Sequence, residues 1–327
     1  MDEKRLSVAL CTYNGEQYLQ EQLDSIASQT RLPDELVVCD DASTDKTTKI
    51  VASFQSKVSF PVRLYLNQEN LGLWINRGKA IEYCTGDIIV FCDQDDVCKL
   101  NRMEIILSAF SENIEAGYVF SDADLVNENL QSLGATLWKA QQLKHLIKEY
   151  KCYSNQARIL LKQNLAWGAT LAIRSCLKNF VLPISPFYYM DDSWIALIAS
   201  CAGYYGIPLS ASLIYYRQHQ TQLAGGLNTL SQKLKRARSP KDIEIFKRQI
   251  KGLMDAKNHL LTIQNMLHKD TSTELKLIQE KAEHFSQRVL IRSSTNFPLK
   301  LKATISEVLT GKYHRFSNVW YSIAFPM

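Results

Sequence analysis

Through residue 97 the chain alternates two kinds of segment, and this alternation narrows the fold more than any other feature. Short apolar runs, Leu6 to Cys11, Glu35 to Cys39, Val62 to Leu66 and Ile88 to Cys92, are separated by stretches of helical period, Glu16 to Gln29, Asp45 to Phe54 and Leu73 to Cys84. That order is the signature of consecutive βαβ units around a parallel sheet. Right-handed crossovers bring the carboxyl ends of such strands to one edge, where ligands of these sheets bind. Three runs end there in polar clusters: Thr12-Tyr13-Asn14-Gly15, Asp40-Asp41-Ala42-Ser43-Thr44-Asp45, and Asp93-Gln94-Asp95-Asp96.

The last cluster is the most demanding chemically. Three carboxylates within four positions repel and raise one another's pKa unless a cation neutralises them, and Mg²⁺ or Mn²⁺ shared with phosphate oxygens is the usual solution. The plainer reading makes them turn and capping residues for a helix starting near Lys99. Asp45 reads as a cap or first-turn acid on its helix, whereas Asp41 sits at the strand tip, placed to accept from a base or ribose. Tyr13 reads either as core or, directly after the strand and before Asn-Gly, as placed to stack on a flat ring, and Asn70-Leu71-Gly72 reads equally well as a turn opening the next helix. Neither GxGxxG nor GxxxxGK[ST] occurs, so no glycine loop is available for phosphate and a metal becomes the natural holder.

Taken together, ALCTYNGEQYLQEQLDSIASQT, VVCDDASTDKT, NQENLGLWINRGKAIEYCTGD and IIVFCDQDD resemble family 2 glycosyltransferases of GT-A fold in order and spacing. MDDSWIALIASCAGYYGIPLSASLIYYRQHQTQLAGG resembles more narrowly the bacterial rhamnosyltransferase branch; the likeness covers roughly residues 5 to 226. The resemblance implies an α/β fold, a mostly parallel GT-A sheet with flanking helices, and an inverting, metal-dependent transfer of sugar from a nucleotide-sugar. It implies that Asp93-Gln94-Asp95 is a DXD motif, with Asp95 the direct ligand of Mn²⁺ or Mg²⁺ and Asp93 and His219 completing the metal site. Thr12, Tyr13, Asn14 and Asp41 fall at nucleoside-contacting positions, Asn70 and Gly72 in the loop beside them, and Lys79 at a diphosphate-contacting position. Gly168-Ala169 resembles the small-residue loop beside the donor sugar. Asp191-Asp192 matches an acidic pair whose second member, Asp192, is the base, with Trp194 beside it toward substrate. Met190 before an Asp in place of Glu, and Cys98 in place of a common Trp, depart from the pattern.

His219 and Asp192 each have a plainer alternative, as a structural histidine and as the N-cap of a helix from Trp194 to Ala202. The eight cysteines lack CxxC spacing, and Cys11, Cys39 and Cys92 fall on buried strands, which reads as reduced structural thiols in a cytoplasmic protein. Leu6 to Cys11 is too short for a signal-peptide core and Trp194 to Pro208 too short and interrupted to span a bilayer.

Charge divides unevenly. Residues 231–327 hold 18 Lys and Arg against 8 Asp and Glu, and residues 1–230 hold 20 against 25. The expected organisation is therefore a catalytic domain over 1–229, its nucleotide-sugar half about 1–97 and acceptor half about 98–229, followed by a basic helical region over 230–327. Its helices are expected at Leu230 to Leu267, Thr273 to Leu290 and Pro298 to Leu309, with Lys233, Lys235, Arg236, Arg238, Lys247, Arg248 and Lys251 beside apolar residues. Such helices are either solvated or attracted to an anionic membrane surface at the inner leaflet, in keeping with a saccharide or lipid-linked acceptor. No nucleic-acid recognition motif is present. The resemblance points to rhamnose, from dTDP-rhamnose, in surface polysaccharide synthesis. Two competing readings are a nucleotidyltransferase, which would carry a glycine-rich phosphate loop, and a silent nucleotide-sugar-binding protein, which would not need the acids.

Overall fold

The computed structural model describes residues 4–152, 156–220, 222, 241–267 and 269–316. Among the described residues nine strands form one mixed sheet in the order β3-β2-β1-β4-β8-β6-β9-β5, with β7 off this path and paired antiparallel to β6. They are β1 Leu6–Thr12, β2 Glu35–Asp40, β3 Val62–Leu66, β4 Ile88–Asp93, β5 Val97–Cys98, β6 Ala116–Val126, β7 Ser132–Thr136, β8 Leu171–Arg174 and β9 Tyr205–Arg217. The helices are α1 Leu19–Ala27, α2 Thr47–Gln55, α3 Leu73–Tyr83, α4 Arg102–Glu112, α5 Leu137–Ala140, α6 Lys144–Tyr150, α7 Gln156–Lys162, α8 Lys178–Val181 and α9 Asp191–Cys201. Beyond them lie α10 Lys241–Thr262, α11 Ser272–Ser293, α12 Phe297–Leu309 and α13 Lys312–Phe316.

The described chain packs as two compact units, one of Met1–Tyr153, Ala166–Ile184 and Tyr204–Leu227, the other of Ser154–Leu165, Ser185–Gly203 and Asn228–Met327. Residues 98–229 are thus shared between the units. In the first unit β1, β2, β3 and β4 are parallel, as the alternation of strand and helix dictates. Every residue of β1 and β2 is buried, because helices cover both faces of a parallel sheet. α1 turns Leu19, Gln22, Leu23 and Ile26 inward at helical spacing. Register then does the functional work: Thr12 lies opposite Asp40, and Cys11 opposite Asp93, so three polar strand ends meet at one edge. At the far side β5 pairs antiparallel with β9, Val97 against Tyr215, which carries Arg217 and the following His219 back to the acidic run.

In the second unit all eleven residues of α9 are buried, so the helix is enclosed on every side. At Gly252 on α10 an added Cβ would lie 2.5 Å from Phe187 O and Tyr188 Cα, so only glycine permits this approach. Lys233, Lys235, Arg236 and Arg238 lie outside the described residues, as does the first stretch of the helix expected from Leu230. No helix among the described residues is long and apolar enough to cross a membrane.

Candidate active site

The acidic run is fastened residue by residue, and by groups the sequence reading did not foresee. Asp93 Oδ1 pairs with the guanidinium of Arg77, whose side chain is 1% exposed, while the Asp93 carbonyl accepts from Gln22 Nε2 at 2.8 Å. Gln94 holds the Tyr13 backbone at both ends: Tyr13 N donates to Oε1 at 2.9 Å and Nε2 donates to Tyr13 O at 3.0 Å. Asp95 O accepts from Arg217 Nε at 2.7 Å, and Asp96 Oδ1 accepts from Arg217 N at 2.9 Å. Burial, then the neighbouring Asp95 and Asp93 carboxylates, push the Asp96 carboxyl well above the usual range, and its buried Oδ2 has no hydrogen-bond partner. None of these acids caps α4, which starts at Arg102 with Asn101 in the cap position.

Asp95 meets His219. Their Oδ2 and Nε2 are 2.7 Å apart, with both side chains only partly exposed. Tyr18 packs against the imidazole at 5.1 Å between centroids, and Arg217 lies over Tyr18 at 4.4 Å. Arg217 further binds Glu128 O and the Glu21 carboxylate, so one buried guanidinium joins α1, the β4–β5 turn and the loop after β6.

At the neighbouring strand ends, Thr12 Oγ1 donates to Asp40 Oδ1 at 2.7 Å. Asn14 adopts a positive φ of 46°, donating to Ser43 Oγ and accepting from Thr44 N. Gly15 lets Gln94 approach: a Cβ there would lie 2.3 Å from Gln94 Oε1, so any larger residue displaces the Gln94 amide. Tyr13 leaves its ring 47% exposed at this edge. Asp41 is buried, Oδ1 accepting from Leu71 N at 2.9 Å and Asn67 Nδ2 at 2.8 Å, and Oδ2 accepting from Gly72 N at 2.8 Å. Asp41 therefore ties the Asn70-Leu71-Gly72 turn to β2, with Asn70 itself exposed and Gly72 at φ 82°. Lys79 donates to Asn67 Oδ1 at 2.6 Å, one step behind Asp41. Of the two basic residues on α3, Arg77 is the one that reaches the acidic run. Asp45 holds the start of α2, accepting from Thr47 N at 2.9 Å, and also accepts from Glu16 N at 3.0 Å. Gly168 and Ala169 are buried, and Arg102 joins Ala169 O to Phe91 O on β4 with bonds of 2.7 Å each.

Asp191, Asp192 and Trp194 are set in the second unit. Helix α9 begins at Asp191, with Met190 in the cap position, so Asp192 is in the first turn rather than at the cap expected for a helix from Trp194. Its Oδ1 accepts from Asn164 Nδ2 at 3.0 Å and Ser193 Oγ at 3.2 Å, and the residue is 3% exposed. Trp194 is buried between Tyr188 and His259, at 5.6 Å and 5.3 Å between centroids, and acts here as core.

A divalent ion requires oxygen and nitrogen donors left after these internal bonds. Among the described residues no group of three or more His, Cys, Asp or Glu side chains is arranged to hold a metal alone. Asp95 Oδ2 and His219 Nε2 now face each other and would offer two adjoining donors once parted by an ion, whereas Asp93 is already answered by Arg77. This donor set suits an ion that takes its remaining oxygens from a diphosphate and water, as Mg²⁺ commonly does.

Residues 7–160 match the model of glycosyl transferase family 2. The Escherichia coli UDP-Glc:alpha-D-GlcNAc-diphosphoundecaprenol beta-1,3-glucosyltransferase WfgD is 30% identical over 129 residues, 39% of this chain and 49% of that protein. The matched part of the chain spans between about half and two thirds of the first curated relatives, 49% and 65% of their lengths. In fold the chain is similar to S. aureus TarS 1-349 in complex with UDP-GlcNAc, with TM-score 0.57 at 16% identity, covering 98% of this chain and 90% of that one. The mannosyltransferase PcManGT from Pyrobaculum calidifontis, in complex with GDP-Man and Mn2+, gives 0.55 at 16% identity, covering 99% and 86%.

Proposed function

We propose, for a chain whose residues 7–160 match the model of glycosyl transferase family 2 and whose fold is GT-A, that the protein transfers a sugar from a nucleoside-diphosphate donor to a saccharide or lipid-linked acceptor, with inversion at the anomeric carbon. One observation carries this reading: the acidic run at the strand ends is held rigidly by Arg77, Gln94 and Arg217, while the Asp95 carboxylate is presented with His219 beside it. Such fixing is what catalysis by positioning and electrostatics needs.

In this reading Tyr13 stacks on the base, and Thr12, Asn14, Asp41, Asn70 and Gly72 shape the nucleoside end. Lys79 keeps Asp41 oriented through Asn67 and adds positive charge toward the diphosphate. Asp95 and His219, with Asp93 behind them, would hold Mn²⁺ or Mg²⁺. When bound, the ion acts as a Lewis acid on the leaving diphosphate. Gly168 and Ala169 leave room for the donor sugar. Asp192 takes the proton of the acceptor hydroxyl as its oxygen attacks the anomeric carbon and the bond to diphosphate breaks, with Asp191 beside it. A single displacement by one base inverts the centre. We assign the sugar as rhamnose, carried by dTDP, for a surface polysaccharide or its lipid-linked precursor. The enzyme would act in the cytoplasm, with the basic region 230–327 as its contact to the inner face of the membrane.

The test is release of nucleoside diphosphate from dTDP-rhamnose, UDP-Glc, UDP-GlcNAc and GDP-Man with Mn²⁺ or Mg²⁺. Turnover of one donor, abolished by EDTA, is expected. Donor binding without turnover would favour a silent binder, and pyrophosphate release from a nucleoside triphosphate and a sugar phosphate would favour a nucleotidyltransferase.

A further inference from the structure

Helix α12 is amphipathic in the reverse sense. Its inward residues are polar, Thr304 at 9% and Glu307 at 5% exposure, whereas Leu301, Ile305 and Leu309 are exposed at 42%, 48% and 81%. These three leucine and isoleucine positions recur at i, i+4 and i+8, which places them in one stripe along the helix. Glu307 is turned inward against the buried imidazole of His284, so the exposed charge of α12 is cationic, with Lys302 beside the stripe. A globular helix normally shows water its polar side, and a continuous exposed apolar stripe marks a contact surface.

We propose that the Leu301–Ile305–Leu309 stripe seats the protein on an anionic lipid surface, the helix lying in the plane of the headgroups. Charge selects this occupant. A second copy of the helix would set Lys302 against another cationic helix, whereas anionic headgroups answer Lys302 while the acyl boundary takes the stripe. Thirteen residues give a helix of about 20 Å, enough for three apolar anchors and too short to span. The sequence that follows α13, Ser317 to Met327, carries Val319, Trp320, Tyr321, Ile323 and Phe325 and no charged residue. Trp and Tyr are enriched at membrane interfaces, so the sequence continues in the same chemical sense. This surface is distinct from the Lys233 to Arg238 cluster. It deepens the lipid-linked acceptor reading without depending on it, because vesicle binding is measured with neither donor nor acceptor.

The full chain is sedimented with phosphatidylcholine vesicles and with mixed phosphatidylcholine–phosphatidylglycerol vesicles, and its mass in solution is followed by light scattering. Binding to the mixed vesicles is expected. The triple variant Leu301→Ser, Ile305→Ser, Leu309→Ser should weaken it at least about tenfold. Lys302→Gln should weaken it less and reduce its salt sensitivity. Because the three positions are exposed, donor hydrolysis should be unchanged. Equal sedimentation of parent and triple variant would overturn the proposal. So would failure of the parent to bind, or a fall in mass on serine substitution, which would make the stripe a seam between copies.

Discussion

Replacing Arg217 by Met isolates what holds the acidic run in place. The side chain is 1% exposed, so Met fills most of its volume and no cavity dominates the outcome. Lost are the bonds to Asp95 O and Glu128 O, the Glu21 pair, and the contact over Tyr18. Each carbonyl left without its donor costs about 1 kcal/mol, and the cation–π contact about another 0.5–1 kcal/mol. Glu21 is more than half exposed, so its pair is discounted to a few tenths. The total is about 3 kcal/mol, a large share of a typical domain's 5–15 kcal/mol, which is about the usual range. The Arg217 amide still reaches Asp96, so the loss should concentrate at Asp95 and His219. Urea unfolding and amide exchange at residues 93–98 give the energy, and calorimetry with a nucleoside diphosphate and Mn²⁺ gives the consequence, at least about tenfold weaker binding. Arg217→Lys should restore part of the stability and little of the affinity, since an ammonium lacks the fork that reaches three acceptors. A loss below about 1 kcal/mol with unchanged binding and exchange would refute the anchoring role.

Gly15→Ala should push the Gln94 amide off Tyr13, given the 2.3 Å approach, and weaken nucleoside-diphosphate affinity in calorimetry while melting changes little; undiminished affinity would show that the Gln94 clamp is dispensable. Asp192→Asn retains the oxygen that accepts from Asn164 but takes no proton, so donor binding should persist and turnover fall about 10²- to 10⁴-fold. Burial pushes the Lys281 ammonium down to about 8, its Nζ donating to Leu161 O. The unfolded lysine keeps its proton to roughly pH 10.4, so between these values the unfolded chain binds more protons and stability rises with pH. Lys281→Met should remove that rise, measured as unfolding free energy from pH 8 to 10; parallel curves for parent and variant would contradict it.

The parallel half of the sheet was legible because its strands are short apolar runs ended by polar clusters; Val62–Leu66 agrees at both ends, and β4 extends one residue further, to Asp93. The need for cations at Asp93-Gln94-Asp95-Asp96 was legible too, but their identity was not. Arg77 lies on the inward face of α3 with Asn76, Ala80 and Ile81, and an arginine at a core-facing helical position is itself a signal that an acid waits inside. Arg217 gives no such signal, since its partners come from residues 21, 95 and 128 and meet only through the sheet. The role of Gln94, the middle residue of Asp93-Gln94-Asp95, was hidden because a side-chain amide pairing with a backbone leaves no periodic trace. The placing of α9 in a unit with α7 and the C-terminal helices was equally hidden. The apolar run Trp194 to Ala199 announces that its helix is enclosed and does not say by what.

The central claim is that Asp95, with His219, presents a divalent ion to a nucleoside diphosphate. It is tested most directly by calorimetric titration of the nucleoside diphosphate into the parent protein and Asp95→Asn, each with Mn²⁺ and with EDTA. Binding by the parent that requires Mn²⁺, and its loss in Asp95→Asn with the fold intact by circular dichroism, is the predicted result. Equal affinity in EDTA, or metal-dependent affinity surviving in Asp95→Asn, would contradict it.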